Sequence, residues 1–296
     1  PQATIEEFGE KWAEAENVVS NGPYVLKEWE HEAKLVLVKN PLWYDADEVQ
    51  IDVINGPIVG EASTAMAMYE AGDIDLVSGD PGWGIPLPDM DRVKSDPVLS
   101  KEFSQIPYAC TYYYGFVQKE GSPFMDVRVR KAFVAAIDRK ALIENVTKGD
   151  QIPAHSFVCP GMFGNAVDDA TIAPYLLDIE DGLAKAKDWL AEAGYPNCEG
   201  LPPVTLMHNT SEGHALIAQA IAAMWKENLG CDVEITNQEW KVYLDTLKPY
   251  SPDEEKPEVY RLGWCMDYPD ANNWLNEVFN SESPANYAKF HNEEFD

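Results

Sequence analysis

The residues best suited to chemistry lie in one short run, Arg261-Leu262-Gly263-Trp264-Cys265-Met266-Asp267-Tyr268-Pro269-Asp270. Apolar alternation predicts a strand over 258–264 and helical spacing predicts a helix over 271–279, so Asp267 falls in the loop at the strand's carboxyl end. In layered α/β proteins ligands bind outside those ends. A lone carboxylate there, flanked by Trp264 and Tyr268, suits an ammonium group held in a partly dry slot. Spacing alone favours a plainer role for Asp267, as the N-cap of the helix that follows. No enzyme signature competes with this run: the chain has no GxSxG elbow, HExxH pair, Walker loop or GxGxxG turn. The five histidines, His31, His155, His208, His214 and His291, are scattered. His155 with Cys159 is two ligands short of a zinc site, so neither a metal nor a cofactor is expected.

The elements that must position this run divide the chain into two styles. Asn21-Gly22-Pro23 signals a turn, after which 24–29 and 33–39 read as a hairpin, the second strand apolar on both faces and hence buried. A strand follows at 49–55, a helix at 61–71, a short strand at 74–77 and a proline-rich loop at 81–88. The run 108–117, dense in Tyr and β-branched residues, is a strand. Asp126 caps a helix carrying Val129, Ala132, Phe133 and Ala136 on one face, and Asp138 caps the next. Beyond a loop at 149–170, helices at 181–193, 212–229, 239–248 and 271–279 alternate with strands at 204–208, 231–236 and 258–264. That alternation is the pattern of an α/β lobe with a largely parallel sheet. A junction near 115–125 gives a strand-richer part, 1–118, and an α/β lobe, 119–296.

Composition narrows the partners. Among 296 residues, 51 Asp plus Glu face 22 Lys plus Arg, a formal charge of −29, which repels phosphate backbones and anionic lipid heads. Nucleic acid is therefore excluded as a partner, and cationic or amine-bearing solutes are favoured; a solvated acidic face suited to a salty habitat is the plainer reading. No run approaches the ~20 apolar residues of a membrane span. Both ends read as cut from something longer. The five cysteines form no CxxC pair, which disfavours zinc ribbons and thioredoxin motifs, and their odd number permits at most two bridges.

From about Val18 onward the chain resembles family 5 extracellular solute-binding proteins of bacterial ABC importers, in its oligopeptide branch. The resemblance is carried by Asn21-Gly22-Pro23-Tyr24-Val25-Leu26-Lys27, by Tyr112-Tyr113-Tyr114, and by Pro123-Phe124-Met125-Asp126-Val127-Arg128-Val129-Arg130. Asn209-Thr210-Ser211, Asn237-Gln238-Glu239-Trp240-Lys241 and Gly263-Trp264-Cys265-Met266-Asp267-Tyr268 complete it. It implies an α/β, two-lobed periplasmic binding protein type II-like fold, here partial.

The resemblance also implies roles. Asp267 matches a carboxylate that pairs with a peptide's α-amine. Gly263 and Cys265 match residues whose backbone bonds an extended ligand as a neighbouring strand does, with side chains entering wet pockets. Trp240 and Trp264 match pocket walls, and Arg261 and His214 match groups that hold the ligand's carboxylate at particular lengths. Cys110 and Cys265 match a disulfide pair, which implies an oxidising compartment; Cys159, Cys198 and Cys231 have no counterpart, and a second bridge among them stays open. Two basic residues of the family stand here as Thr147 and Leu247, with Lys148 and Lys248 next door as substitutes. The loop 250–259 is lengthened. The implied partners are short peptides and the membrane permease of an ABC importer, with the binding protein a monomer, periplasmic or extracellular, with or without a lipid anchor. The implied motion is two lobes closing on the peptide. Rival cargoes on the same fold are a dipeptide, a nickel complex, haem or a sugar; the rival from another class is a peptidase using His155 and Cys159.

Overall fold

The computed structural model describes residues 2–79, 84–154, 156–165 and 179–296, the side chains of 179–181 excepted. The chain forms two compact units, 1–71 and 72–296, which are taken in turn.

The first unit contains a short helix, Gln2–Phe8, and an antiparallel sheet of order β1-β2-β3, with β1 at Tyr24–Glu30, β2 at Lys34–Lys39 and β3 at Val53–Pro57. A helix at Ala62–Ala71 closes it. The expected burial of β2 on both faces is corrected: only Val36 in this strand is buried. β3 starts four residues later than its apolar pattern suggests. The Lys39 ammonium takes the Val49 carbonyl, and the Lys39 N–H takes that of Asp52, so the chain leading into β3 is tied by single bonds before the ladder starts.

The second unit is a four-stranded sheet of order β4-β7-β5-β6, formed by Cys110–Phe116, Val259–Cys265, Val204–Asn209 and Val233–Gln238. β5 runs parallel to both β6 and β7, and β4 lies antiparallel on the β7 edge. β4, which precedes the expected junction near 115–125, is thus a member of this sheet. Strand alternation sorts side chains between two layers of helices. One face puts Val204, Leu206 and Val259 against Val129, Phe133, Leu190, Ile217, Ile221 and Trp225. Those six come from helices Val127–Ala135, Ile179–Glu192 and Glu212–Leu229. The other face puts Met207, Tyr260 and Leu262 against Tyr243 and Leu247 of helix Trp240–Leu247.

Side-chain caps place the helices where the sequence expects them. The Asp126, Asp138, Ser211 and Glu239 side chains each accept a backbone N–H in the first turn of their helix. Gly230 ends the longest described helix, Glu212–Leu229, with φ +79°, a left-handed cap that a residue with a Cβ adopts only with strain. The expected strand at 74–77 is absent. That stretch pairs with no strand among the described residues, and Leu76 lies exposed. Two short helices, Met90–Ser95 and Leu99–Glu102, occupy a stretch without a clear sequence signal. No described helix is long and apolar enough to cross a membrane.

Candidate functional site

The three parallel strands end on the same edge of the sheet, and each is followed by a capped helix. The loops there are Asn209-Thr210-Ser211, Gln238-Glu239-Trp240 and Cys265 to Asp270, so three stretches far apart in sequence share one rim. Thr210 ties the first two together: its N–H donates to the Gln238 carbonyl (2.8 Å) and its hydroxyl to Asn237 Oδ1 (2.9 Å).

β7 presents an open main-chain edge at this rim. In an antiparallel pair, opposed residues alternate between exchanging two hydrogen bonds and exchanging none. The Val117 N–H donates to Glu258 O (2.9 Å) and the Met266 N–H to Ala109 O (3.0 Å), which fixes the even-numbered residues of β7 as those bonded to β4. The N–H and C=O groups of Gly263 and Cys265 therefore face the other way. On that side β5 pairs with β7 only at Val259 and Tyr260, and the Tyr243 hydroxyl takes the Arg261 carbonyl. Past that point no strand lies on that side of Gly263 to Cys265 among the described residues. Gly263 is exposed, and a Cβ added there would meet nothing closer than 3.9 Å, so the position tolerates a side chain sterically.

Asp267 follows four residues on and is exposed. The capping alternative is corrected: helix Ala271–Phe279 is capped by Asp270, whose carboxylate accepts the Asn272 N–H (2.9 Å). Asp267 is held instead by Asn273, which is 1% exposed. Asn273 Nδ2 donates to Asp267 Oδ2 (3.2 Å), while Asn273 Oδ1 accepts the Asp267 N–H (3.0 Å) and the Trp264 indole N–H (3.2 Å). Asp267 Oδ1 has no protein partner among the described residues. Trp264 is half-buried against a small cluster of Val158, Ala271 and Trp274.

Arg261 and His214 come together through a third residue. The Arg261 guanidinium lies over the Tyr112 ring, 4.1 Å from its centroid, and the Tyr112 hydroxyl is 3.2 Å from His214 Nδ1. Arg261 Nη1 donates to Asn209 Oδ1 (3.2 Å). Arg261 is 6% exposed and His214 fully buried, yet Arg261 Nε and Asn209 Nδ2 are buried without a hydrogen-bond partner among the described residues. Burial first, then the Arg261 and His208 charges, push the His214 imidazole down to about 2, so it is neutral and uncharged near pH 7. The cluster is rich in donors and carries a buried cation, which is chemistry for an anion. Tyr112 and Asn209 belong to motifs visible in sequence, but their place around Arg261 depends on the register of β4, β5 and β7.

Trp240 stands apart from these groups. It opens its helix 43% exposed, with its ring 6.3 Å from Tyr243, and is rim rather than core. The expected substitutes Lys148 and Lys248 are engaged elsewhere, with Asp91 and with Asp245 respectively. The loop after Tyr250 is pinned by Lys256, whose buried ammonium donates to the Thr246 and Leu247 carbonyls at the end of helix Trp240–Leu247.

Cys110 and Cys265, opposed in register, form a disulfide that staples β4 to the open end of β7. A second disulfide joins Cys198 and Cys231. Cys159 is a free thiol, 3.4 Å from the Thr111 hydroxyl. His155 lies outside the described residues, and among those described no group of three or more His, Cys, Asp or Glu is placed to hold a metal.

The rim at the carboxyl ends of the parallel strands thus brings together three helix caps, an open strand edge and an exposed carboxylate. The chain belongs to the bacterial extracellular solute-binding proteins, family 5, whose middle-region profile it matches over residues 1–286. It is 33% identical over 296 residues to the periplasmic oligopeptide-binding protein OppA of Salmonella typhimurium, covering 100% of this chain and 52% of that protein. To the oligopeptide-binding protein OppA of Bacillus subtilis it is 35% identical over 286 residues, 95% of this chain and 50% of the relative. Among solved structures, the Escherichia coli murein tripeptide binding protein MppA superposes with a TM-score of 0.85 at 32% identity, over 99% of this chain and 54% of the other. The Haemophilus influenzae OppA complex with the peptide RPPGFSPFR does so with a TM-score of 0.82 at 29% identity, over 99% and 55%. The chain spans about half the length of the curated relatives it matches.

Proposed function

We propose that this chain is the peptide-capturing part of a solute-binding protein that delivers short peptides to the membrane permease of an ABC importer. The observation that carries this reading is the open β7 edge at Gly263 and Cys265, ending beside the uncapped carboxylate of Asp267. An extended peptide fits as an added strand: its backbone bonds Gly263 and Cys265, and its ammonium pairs with Asp267. Main-chain bonds read no side chain, so one site accepts many sequences. The donor-rich cluster of Arg261 and His214 suits a carboxylate of the ligand, and Trp240 and Trp264 suit pocket walls. Relatives named as oligopeptide-binding or murein tripeptide-binding support a peptide over the nickel, haem or sugar alternatives. A neutral sugar leaves the Asp267 charge without a partner.

The protein acts by binding, without turnover, at a periplasmic or extracellular location that its two disulfides suit. It works as a monomer and needs no metal or cofactor. Titration calorimetry with a tripeptide and its N-acetylated form tests this. Losing one partner of a desolvated charge pair costs about 3–5 kcal/mol, so acetylation and Asp267→Ala should each weaken binding by a hundredfold or more. Equal affinity for free and acetylated peptides contradicts the amine–carboxylate pairing. Peptides recovered intact by mass spectrometry support a carrier, and cleavage products support the peptidase instead.

A further inference from the structure

The geometry points to Asn273 as the positioning residue of the amine site, a role that rests on the peptide-binding reading above. Asn273 is 1% exposed, yet all three of its side-chain hydrogen bonds go to residues of that site. Its Oδ1 accepts both the Trp264 indole N–H (3.2 Å) and the Asp267 backbone N–H (3.0 Å), and its Nδ2 donates to Asp267 Oδ2 (3.2 Å). The amide can sit only one way round. Rotated by half a turn, its NH2 would face two N–H donors and its oxygen would face a carboxylate.

The residue is placed to be rigid. It lies in the first turn of helix Ala271–Phe279, which Asp270 caps, and its neighbour Trp274 is fully buried. Asn273 itself is almost wholly buried, whereas the carboxylate it holds is exposed. The helix thus carries a fixed amide into the loop. That amide sets the backbone at Asp267, leaves Asp267 Oδ1 open, and holds the Trp264 ring at the open strand end. Preorganising a charged partner in this way raises affinity by removing the entropy that a free carboxylate loses on pairing.

The test is calorimetry on the whole chain with a tripeptide and its N-acetylated form, comparing wild type with Asn273→Leu and Asn273→Asp. Asn273→Leu, which keeps the branching of the side chain and removes its polar atoms, should shrink the preference for the free amine by roughly tenfold or more, with the residual binding of the acetylated peptide little changed. Asn273→Asp keeps shape and the acceptor but sets a second carboxyl group 3.2 Å from Asp267. Two carboxyls this close share a proton, so the dyad's charge goes from one to two as pH rises. The free-amine preference of Asn273→Asp should therefore climb with pH between about 5 and 8, more steeply than in wild type. A merely structural role moves overall stability and gives no such slope. If wild type prefers the free amine and both variants prefer it equally, with wild-type pH dependence, the role of Asn273 is overturned while the site reading stands. A wild type without any preference overturns both. Should Asn273→Leu fail to fold, the isosteric Asn273→Asp profile decides alone.

Discussion

At the scale of single residues, the buried imidazole of His214 couples folding stability to pH. Its folded value, about 2, lies below the ~6.5 of an unfolded chain. Above about pH 6.5 both states are neutral and the group costs nothing; as pH falls below it, the unfolded chain takes up a proton that the folded one refuses. Stability is therefore present above the unfolded value and drains away toward the folded one, by about 1.4 kcal/mol per pH unit. His208, also shifted down by burial, acts in the same direction. Urea denaturation should show His214→Asn losing less stability than wild type between about pH 7 and 5, and identical slopes would contradict the buried neutral form. The sequence exposes Asp267, Gly263 and Cys265 through their motif. It cannot expose Asn273, because an asparagine beside an apolar helical stripe looks like surface until the strand end before it is in place.

At the scale of elements, the two disulfides should separate stability from function. By loop closure, a bridge spanning 155 residues contributes about 5 kcal/mol and one spanning 33 about 4. Only Cys110–Cys265 touches the site, fastening β4 to β7 where the ladder ends. Replacing Cys198 and Cys231 with serine should lower the denaturation midpoint and leave peptide affinity intact. Replacing Cys110 and Cys265 should lower both, and unchanged affinity there would show that the staple has no part in shaping the edge. Most elements of the second unit are legible because caps such as Asp126 and Asp138 and a stop at Gly230 punctuate long periodic runs. The pairing of Cys198 with Cys231 stays open in the sequence, since spacing says nothing of which loops meet. The failed strand at 74–77 shows the same limit: four apolar-alternating residues make a strand only where a partner offers its ladder.

At the scale of the whole molecule, a formal charge of −29 surrounds a site proposed to take an ammonium. A field of that sign draws cationic peptides inward and slows anionic ones, through encounter rates more than contacts. Stopped-flow association of a lysine-containing tripeptide should outpace a glutamate-containing one by about tenfold at low ionic strength and converge with it near 0.5 M salt, within a short Debye length. Rates that ignore salt would leave the acidity as a matter of solvation alone. The same self-repulsion predicts that added salt raises the denaturation midpoint. Composition gave the sign of this field, and the structure adds where an amine would enter it, beside Asp267 and the unpaired strand edge.

The most direct measurement is a crystal structure of the whole chain with a bound tripeptide. The peptide should lie extended along β7, exchanging backbone hydrogen bonds with Gly263 and Cys265, with its ammonium nitrogen about 3 Å from Asp267 Oδ1. A peptide seated elsewhere, with Gly263 and Cys265 still unpaired and the Asp267 carboxylate facing only water, would contradict the account.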